Sequence, residues 1–339
     1  MALLERWVSE LERGAPFATP EPAEPPPPAP AQERPRPEPK PRAPAAEKAP
    51  TAPLLAAREE IRLQSWGATL PPGDAQVVLV REGSRLVHRG TVGIRGPCAP
   101  TRGELLGLGW TEAQARALEF ILAWFGAPFD SVSWDPQGDG ELRWGAWPLS
   151  GLALVEALGR WKLRAPAGFE ARLGRLGVDA TLGQPPEAPS LTLMDLERGA
   201  PVEGRQAMAL LGEDPRLLAA LAQAGRERDA QLAQLEYLLE QVLRPALALT
   251  GTSTSLADAS GGPFSTPRAL ALLLHAELRL GRRGVARLVA HTREKTGQPG
   301  AGEQAGPLFA TDLQSAGRAR EAAEVRRILS SPELAGGAA

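Results

Sequence analysis

The stretch WDPQGDGELRWGAW, residues 134–147, places three tryptophans, three carboxylates, three glycines and one arginine within fourteen positions. Its glycines and its proline exclude a continuous helix and predict a turn between two short strands. Aromatic rings suit partly exposed binding surfaces, and nearby carboxylates can hydrogen-bond the hydroxyl groups of a sugar. The stretch therefore indicates a carbohydrate-binding cleft. Its candidate ligand-binding residues are Trp134, Trp144, Trp147 and Glu141.

A second interpretation of the same stretch is structural. Trp144 and Trp147 would then fill the core between a sheet and the helices. Asp139 would be an ordinary residue of a GDG turn, because glycine and aspartate are common turn residues. Of the three tryptophans, we expect Trp134 to be the most exposed.

Helical patterns flank this stretch on both sides. Upstream, residues 101–126 have an N-cap candidate at Thr111 and a stop at Gly126. Downstream, a helix follows directly, and nearly all of the chain beyond Gly183 carries helical periodicity. These patterns predict a mainly α fold of the α+β class, with a helical domain over residues 101–331 that contains a small β element.

A β-hairpin region and two disordered segments complete the predicted organisation. The β-rich runs 76–81 and 85–94 flank the turn sequence EGS and predict a hairpin within a small region, residues 54–100. Residues 15–53 are rich in proline, alanine and charge, which predicts a disordered, partly polyproline II linker. The last residues, 332–339, are expected to form a disordered tail.

Residues 1–14 have the pattern of a short amphipathic helix that precedes the linker. The apolar face of this helix has no core of its own to join, and isolated helices of this length are marginal in water. One hypothesis is a docking peptide that orders only in the groove of a partner protein, and the alternative is a frayed helix start. The candidate partner-binding residues are Leu4, Trp7, Val8 and Leu11.

Composition and charge exclude several classes of function. A net charge of −2 without a basic stripe argues against nucleic acid as a partner. The single cysteine, Cys98, excludes an intramolecular disulfide framework. No apolar run approaches the roughly 18 residues of a membrane span, and no secretory signal is visible, so we expect a cytoplasmic protein without a transmembrane segment. These features leave open a dedicated route that delivers the protein to the cell wall.

Metal and cofactor sites are not predicted. DPQGDG, residues 135–140, matches part of a calcium loop, but Ala146 stands where that loop needs a bidentate carboxylate. The three histidines lack the spacing of a zinc site, and the chain has neither a P-loop nor a Rossmann glycine fingerprint.

The order of helix, glycine-rich carboxylate turn, short strand and helix resembles the lysozyme-like superfamily, especially its chitosanase-like, peptidoglycan hydrolase-like branch. The turn is GDGELRWG, residues 138–145. AQLEYLLEQVLRPAL, residues 233–247, resembles the branch's glutamine-rich helix that ends in Pro-Ala. STPRALALLLHAEL, residues 265–278, resembles its next helix, in which an aspartate often stands at the place of His275. The resemblance covers about residues 103–330.

The resemblance implies a mechanism with two carboxyl groups, a general acid and a base or stabiliser, on either side of a glycosidic bond. Asp139 matches the second carboxylate. The acid should end the preceding helix, but Phe125 stands there, directly before Gly126. Glu119 and Asp130 are the nearest alternatives, although Glu119 points about 120° away from position 125 on a helical wheel.

Three functions follow from these features. The first is a glycan-binding module for a peptidoglycan-type polymer, derived from a lysozyme-like glycoside hydrolase and catalytically degenerate. The alternative is an active hydrolase of peptidoglycan or an aminoglycan that uses Asp139 with Asp130 or Glu119. A third hypothesis is a structural or assembly protein that docks on a partner through residues 1–14.

Overall fold

Helices dominate the residues that the computed structural model describes, and three small antiparallel sheets accompany them. The prediction of a mainly α fold with a small β element is confirmed at this level. The described residues all belong to one compact unit. The described residues are 51–59, 61–64, 67–69, 77–137, 140–183, 187–249, 262–293 and 301–335.

The elements of the described part are numbered in chain order. The helices are α1 (Thr51–Glu59), α2 (Arg102–Gly107), α3 (Glu112–Trp124), α4 (Gly151–Arg164), α5 (Pro166–Arg172), α6 (Gly204–Glu213), α7 (Pro215–Ala224), α8 (Arg228–Tyr237), α9 (Arg244–Leu249), α10 (Pro267–Arg293), α11 (Ala301–Ser315) and α12 (Ala319–Ser330). The strands are β1 (Arg62–Gln64), β2 (Gly67–Thr69), β3 (Val80–Glu82), β4 (Arg85–His88), β5 (Val132–Trp134), β6 (Leu142–Trp144), β7 (Leu149–Ser150), β8 (Val178–Thr181), β9 (Ser190–Asp195) and β10 (Ala200–Glu203). Short 3₁₀ turns span Gly174–Leu176 and Pro332–Leu334, and a π-helical segment, Leu238–Leu243, joins α8 to α9.

Helix α3 has a capped start and packs into the helical core. Its predicted N-cap is confirmed, because the Thr111 hydroxyl accepts a hydrogen bond from the Gln114 N–H while the Gln114 side chain accepts one from the Thr111 N–H. Such a capping box satisfies N–H groups that the first helical turn leaves unpaired. The buried face of α3 includes Leu118 and Ile121, and the helix packs against α10.

The five-stranded sheet follows the order β3-β4-β5-β6-β7, with every neighbouring pair antiparallel. The predicted hairpin around EGS is confirmed as β3 and β4, although β4 ends at His88 rather than at residue 94. The opening stretch 134–147 contributes the last residue of β5, a turn and all of β6, as its glycines and proline predict. Side chains on a strand alternate between the two faces of a sheet, so this sheet has a core face and an outer face.

A second sheet corrects the prediction that nearly all of the chain beyond Gly183 is helical. Strands β8, β9 and β10 form a three-stranded antiparallel sheet with β9 in the middle. Along β9, Leu191, Leu193 and Asp195 are buried, while the residues that alternate with them are partly exposed. This period of two is the signature of a half-buried strand, but the strand is too short for the pattern to stand out in the sequence.

The predicted limits of the ordered region need two further corrections. Residues 51–53, assigned to the disordered linker, belong to α1. The predicted disordered tail begins with an ordered turn, Pro332–Leu334, whose Leu334 side chain is buried. Both segments are ordered because each inserts a side chain into the folded part: Arg58 of α1 donates hydrogen bonds to two backbone carbonyl oxygens, and Leu334 joins the core.

Helix α10 contains a kink at Gly281, whose φ of 63° and ψ of −161° are not helical. The sequence predicts that the helix ends at this glycine, and the chain does leave the helical conformation there. A second helical stretch then follows directly, so the two form one long kinked element. Glycine tolerates a positive φ because it has no Cβ atom.

Candidate functional site

The outer face of the five-stranded sheet carries an open groove of about 310 Å³. On this face, Ser133 is the cross-strand partner of both Val87 and Arg143. The residues between them on each strand point into the core. The side chains of the groove used below are Glu82, Arg85, Val87, Arg89, Ser131, Ser133 and Arg143.

The polar groups of the groove come mainly from arginine. Three arginines and one glutamate, Glu82, line it. Arg89 Nη2 lies 2.6 Å from Glu82 Oε1, and Arg143 Nη2 lies 3.4 Å from Glu141 Oε2. Arg85 Nε lies 3.7 Å from Asp135 Oδ2. Ion pairs at an exposed surface are each worth about 0–1 kcal/mol, so a ligand can exchange them at small cost.

Asp130 fixes the loop beside the groove. Its side chain is fully buried, and its Oδ1 accepts hydrogen bonds from the backbone N–H groups of Thr91 at 2.7 Å and Val92 at 2.9 Å. Its Oδ2 accepts from the Thr91 hydroxyl at 3.1 Å and from Arg226 Nε at 3.0 Å, with His88 Nε2 at 3.5 Å. The carboxylate therefore connects β4, the loop before β5, and the end of α7.

These contacts set the ionisation state of Asp130. Burial by itself raises the pKa of the Asp130 carboxyl, but the hydrogen bonds from His88 and the backbone N–H groups outweigh burial. The pKa therefore lies well below its usual range. A carboxyl that stays ionised and inaccessible cannot protonate a leaving group, so Asp130 does not fit the role of general acid.

Gln234 of α8 ties together the two loops that flank the groove. Its Oε1 accepts a hydrogen bond from the Ala146 N–H at 3.1 Å, and its Nε2 donates to the Phe129 carbonyl at 3.2 Å. The side chain is almost fully buried. Gly145 has a φ of 91°, and a Cβ atom there would lie 2.2 Å from Gln234 Oε1, so this close approach requires glycine.

The predicted catalytic residues do not form a pair in the described part. Glu119 accepts a hydrogen bond of 2.8 Å from Arg102 Nε, away from the groove. Asp139 lies outside the described residues. Phe125 directly follows the last residue of α3, which is the position at which the resemblance places the general acid. Its ring packs edge-on against His275, with 5.2 Å between the ring centroids.

The three tryptophans of the opening stretch are core residues. The exposed fractions are 5% for Trp134, 0% for Trp144 and 9% for Trp147, so none of them offers a free face to a sugar. The expectation that Trp134 is the most exposed was wrong. The ring lies so close to Gly212 of α6 that a Cβ atom at Gly212 would be 2.4 Å from it. The structural interpretation of Trp144 and Trp147 is the one that agrees with their burial.

Two remaining predictions have different outcomes. Glu141 is not among the residues that line the groove, but its Oε2 lies 3.4 Å from Nη2 of the groove residue Arg143. The docking residues Leu4, Trp7, Val8 and Leu11 lie outside the described residues, so the docking hypothesis stays a prediction.

Among the described tryptophans, Trp124 is the exposed one, and the guanidinium carbon of Arg327 lies 3.7 Å from its ring centroid.

Sequence reasoning did not identify the arginines of the groove. Arg85 and Arg89 belong to a segment for which we predicted only a hairpin. Arg143 belongs to the stretch 134–147, in which we considered the tryptophans and carboxylates as ligand-binding residues. The signal was available as REGSRLVHR, residues 81–89, in which arginines 85 and 89 share a strand face with Val87. The sequence does not show which strand lies beside β4, because that depends on pairing between residues far apart in the chain.

Comparison of the chain with protein-family models, with curated proteins and with solved structures finds no match. None of the described helices combines the length and the apolar character that a membrane-spanning segment requires.

Proposed function

We propose that this protein is a non-catalytic glycan-binding module of lysozyme-like ancestry, and that the groove on the outer face of the sheet holds a peptidoglycan-type glycan. The observation that carries this proposal is the composition of the groove. Among the described residues, one carboxylate, Glu82, lines it, whereas glycoside hydrolysis by the family mechanism uses two. Arginine and serine side chains supply hydrogen-bonding groups for hydroxyls, and Val87 supplies an apolar surface for a ring.

The acid position of the resemblance supports the loss of catalysis. A carboxyl group at position 125 would have to stand where the Phe125 ring now packs against His275, and the guanidinium of Arg279 lies 5.9 Å from the same ring. His275 in turn donates or accepts a hydrogen bond of 2.9 Å with Glu324. Phe125 is only 8% exposed, so the side chain at the acid position is packed in the core. The loss of a general acid costs about 10²–10⁴ in rate.

The order of elements supports the ancestry. Helix α3, the β5–β6 hairpin and α4 follow one another as the resemblance expects, and the glutamine-rich α8 contacts the hairpin through Gln234. A glycan-binding role on this framework needs an accessible surface, and the groove lies beside the same hairpin.

Binding and hydrolysis can be measured together on purified peptidoglycan sacculi. The full chain should co-sediment with the sacculi and release no soluble reducing ends. Ser133→Trp should fill the groove and abolish co-sedimentation without lowering the thermal midpoint. The matched control is Thr181→Trp. Thr181 is an exposed position on β8 of the three-stranded sheet, so this variant should leave binding unchanged.

Two results would contradict the proposal. Absence of co-sedimentation would remove the glycan-binding role. Release of reducing ends that disappears in Glu119→Gln or Asp139→Ala would show an active hydrolase instead.

A further inference from the structure

We propose that His275 makes the packing of α12 against α10 sensitive to acid, so that protonation of this one side chain loosens α12. His275 is not among the residues that line the groove, and the inference does not depend on a glycan. It depends on three features of His275: the burial of its ring, the different surroundings of its two nitrogen atoms and the charges that face it.

The imidazole ring of His275 is enclosed where three helices meet. The side chain belongs to α10 and is 0% exposed. Its Nε2 lies 2.9 Å from Oε2 of Glu324, which belongs to α12. On another side, the uncharged ring of Phe125, which directly follows α3, packs edge-on against it. Water therefore reaches the imidazole only when one of these helix contacts opens.

The two nitrogen atoms of the ring have opposite surroundings. An ionised carboxylate only accepts hydrogen bonds, so Nε2 carries the proton of the neutral ring and donates it to Glu324. Nδ1 is then an acceptor, and it is buried without a hydrogen-bond partner among the described residues. Protonation would place a charged N–H group at Nδ1, where these residues offer no acceptor. The closed helix contact therefore favours the neutral ring.

Glu324 does not compensate for the added charge, because arginines already neutralise its carboxylate. Arg279 of α10 donates to both oxygens, from Nε at 2.9 Å and from Nη2 at 3.1 Å, and Arg320 Nε donates at 3.2 Å. Burial raises the pKa of the Glu324 carboxyl, but the hydrogen bonds from His275 and Arg279 outweigh burial, so the group stays ionised. Glu321 of α12 also favours a protonated ring, but its influence is the smallest.

The direction of the pH effect follows from the surroundings of the ring. Burial lowers the pKa of His275, and the hydrogen bond with Glu324 offsets only part of this lowering. A solvent-exposed histidine, as in an opened contact, has a pKa of about 6.5. Below about this pH the open form binds more protons than the closed form, so acid favours opening.

Hydrogen exchange measured by mass spectrometry reports the opening of α12. The full chain is labelled at about pH 7.5 and at about pH 5.5, and each rate is corrected for the intrinsic pH dependence of amide exchange. Peptides that cover Ala319–Ser330 should show an opening constant about 3-fold to 10-fold larger at the lower pH, as the uptake of one proton predicts. Peptides from α8 should change less.

Variants assign the effect to His275. His275→Gln keeps a neutral donor that can reach Glu324 but cannot take up a proton, so the response of α12 to acid should disappear. The matched control is His291→Gln. His291 Nε2 also lies near a carboxylate, 3.8 Å from Asp312 Oδ2, but its side chain is 27% exposed. Its protonation requires no opening, so this variant should keep the wild-type response.

A measurement on the wild-type protein covers the case in which His275→Gln does not fold. Nuclear magnetic resonance of ¹³C-labelled histidine follows the ring directly, and contacts with the Phe125 ring identify its signal. The ring should titrate with a midpoint below about 6.5.

Four results would overturn the inference. In the wild type they are equal protection of α12 at both pH values, an equal response in α8 and α12, which would indicate global unfolding, and a ring that titrates at or above about pH 6.5. In the His275→Gln variant it is an unchanged response of α12 to acid.

Discussion

Replacing Asp130 with asparagine tests the buried network beside the groove. Asparagine keeps one carbonyl oxygen, so it can preserve the Oδ1 hydrogen bonds from the backbone N–H groups of Thr91 and Val92. It replaces Oδ2 with an NH₂ group, which faces the donors of Arg226 and of the Thr91 hydroxyl. The guanidinium of Arg226, only 15% exposed, then loses its buried counter-charge.

The expected size of this effect follows from the broken ion pair. Removal of one partner from a buried ion pair costs about 3–5 kcal/mol, because the other charge stays desolvated. We therefore expect Asp130→Asn to lower the free energy of unfolding by about 3–5 kcal/mol at pH 7. For a unit of this size, the thermal midpoint should fall by about 6–15 °C. Urea titration followed by circular dichroism measures the first quantity.

The pH dependence gives a second, independent check. The folded pKa of Asp130 lies below its usual range, whereas the unfolded chain has a pKa near 3.9. Acid therefore favours the unfolded chain, and the stability that Asp130 contributes is present above about pH 4 and lost below it. The difference between wild type and Asp130→Asn should be full at pH 7 and smaller at pH 3.

A surface variant provides the control. Asp179 pairs with Lys162 and its side chain is 52% exposed, so Asp179→Asn should change the free energy of unfolding by less than about 1 kcal/mol. If Asp130→Asn is as mild as this control, or if its effect does not depend on pH, the carboxylate is not held as described and the reasoning fails.

Three further variants test the loops and the first helix. Gly145→Ala should destabilise the protein by at least about 1 kcal/mol more than Gly140→Ala, since both glycines have a positive φ but only the first would clash; equal effects in urea titration would disprove the clash. Gln234→Leu should cost about 2–4 kcal/mol, because it leaves an N–H and a carbonyl unpaired in the loops beside the groove, and a neutral result would show that water replaces the amide. Arg58→Met should cost about 2–3 kcal/mol by removing two hydrogen bonds to backbone carbonyls, whereas an unchanged midpoint would mean that α1 is not part of the folded unit.

Local signals in the sequence predicted most of the helices and both hairpin strands correctly. Thr111 caps α3 because its side chain satisfies a local N–H group, which depends on residues three positions apart. Strand β9 was missed because its alternation of buried Leu191 and Leu193 spans only six residues. The sequence predicted a helix end at Gly281, and the chain does leave the helical conformation there, but that the next helical stretch follows without a loop depends on packing that no local pattern records.

The candidate site was harder to predict than the fold. Burial of Trp134 depends on Gly212, which is 78 positions away and approaches the ring only in the folded chain. Asp130 was considered as a catalytic acid, but its ionisation state is set by partners from three separate segments. An exposed carboxyl and a buried, hydrogen-bonded one are identical in the sequence, and only tertiary structure distinguishes them.

The clamp that Gln234 forms between the two loops has a consequence for the entropy of binding. Because Gln234 and Asp130 hold the backbone on both sides of the groove, a ligand meets a frame that is already in its final shape. The ordering cost then falls on the arginine side chains, at about 0.5–1.5 kcal/mol for each one that is immobilised. Under the proposed function, further stiffening of the loops is therefore expected to change the affinity little, whereas restricting the rotamers of the groove arginines is expected to raise it.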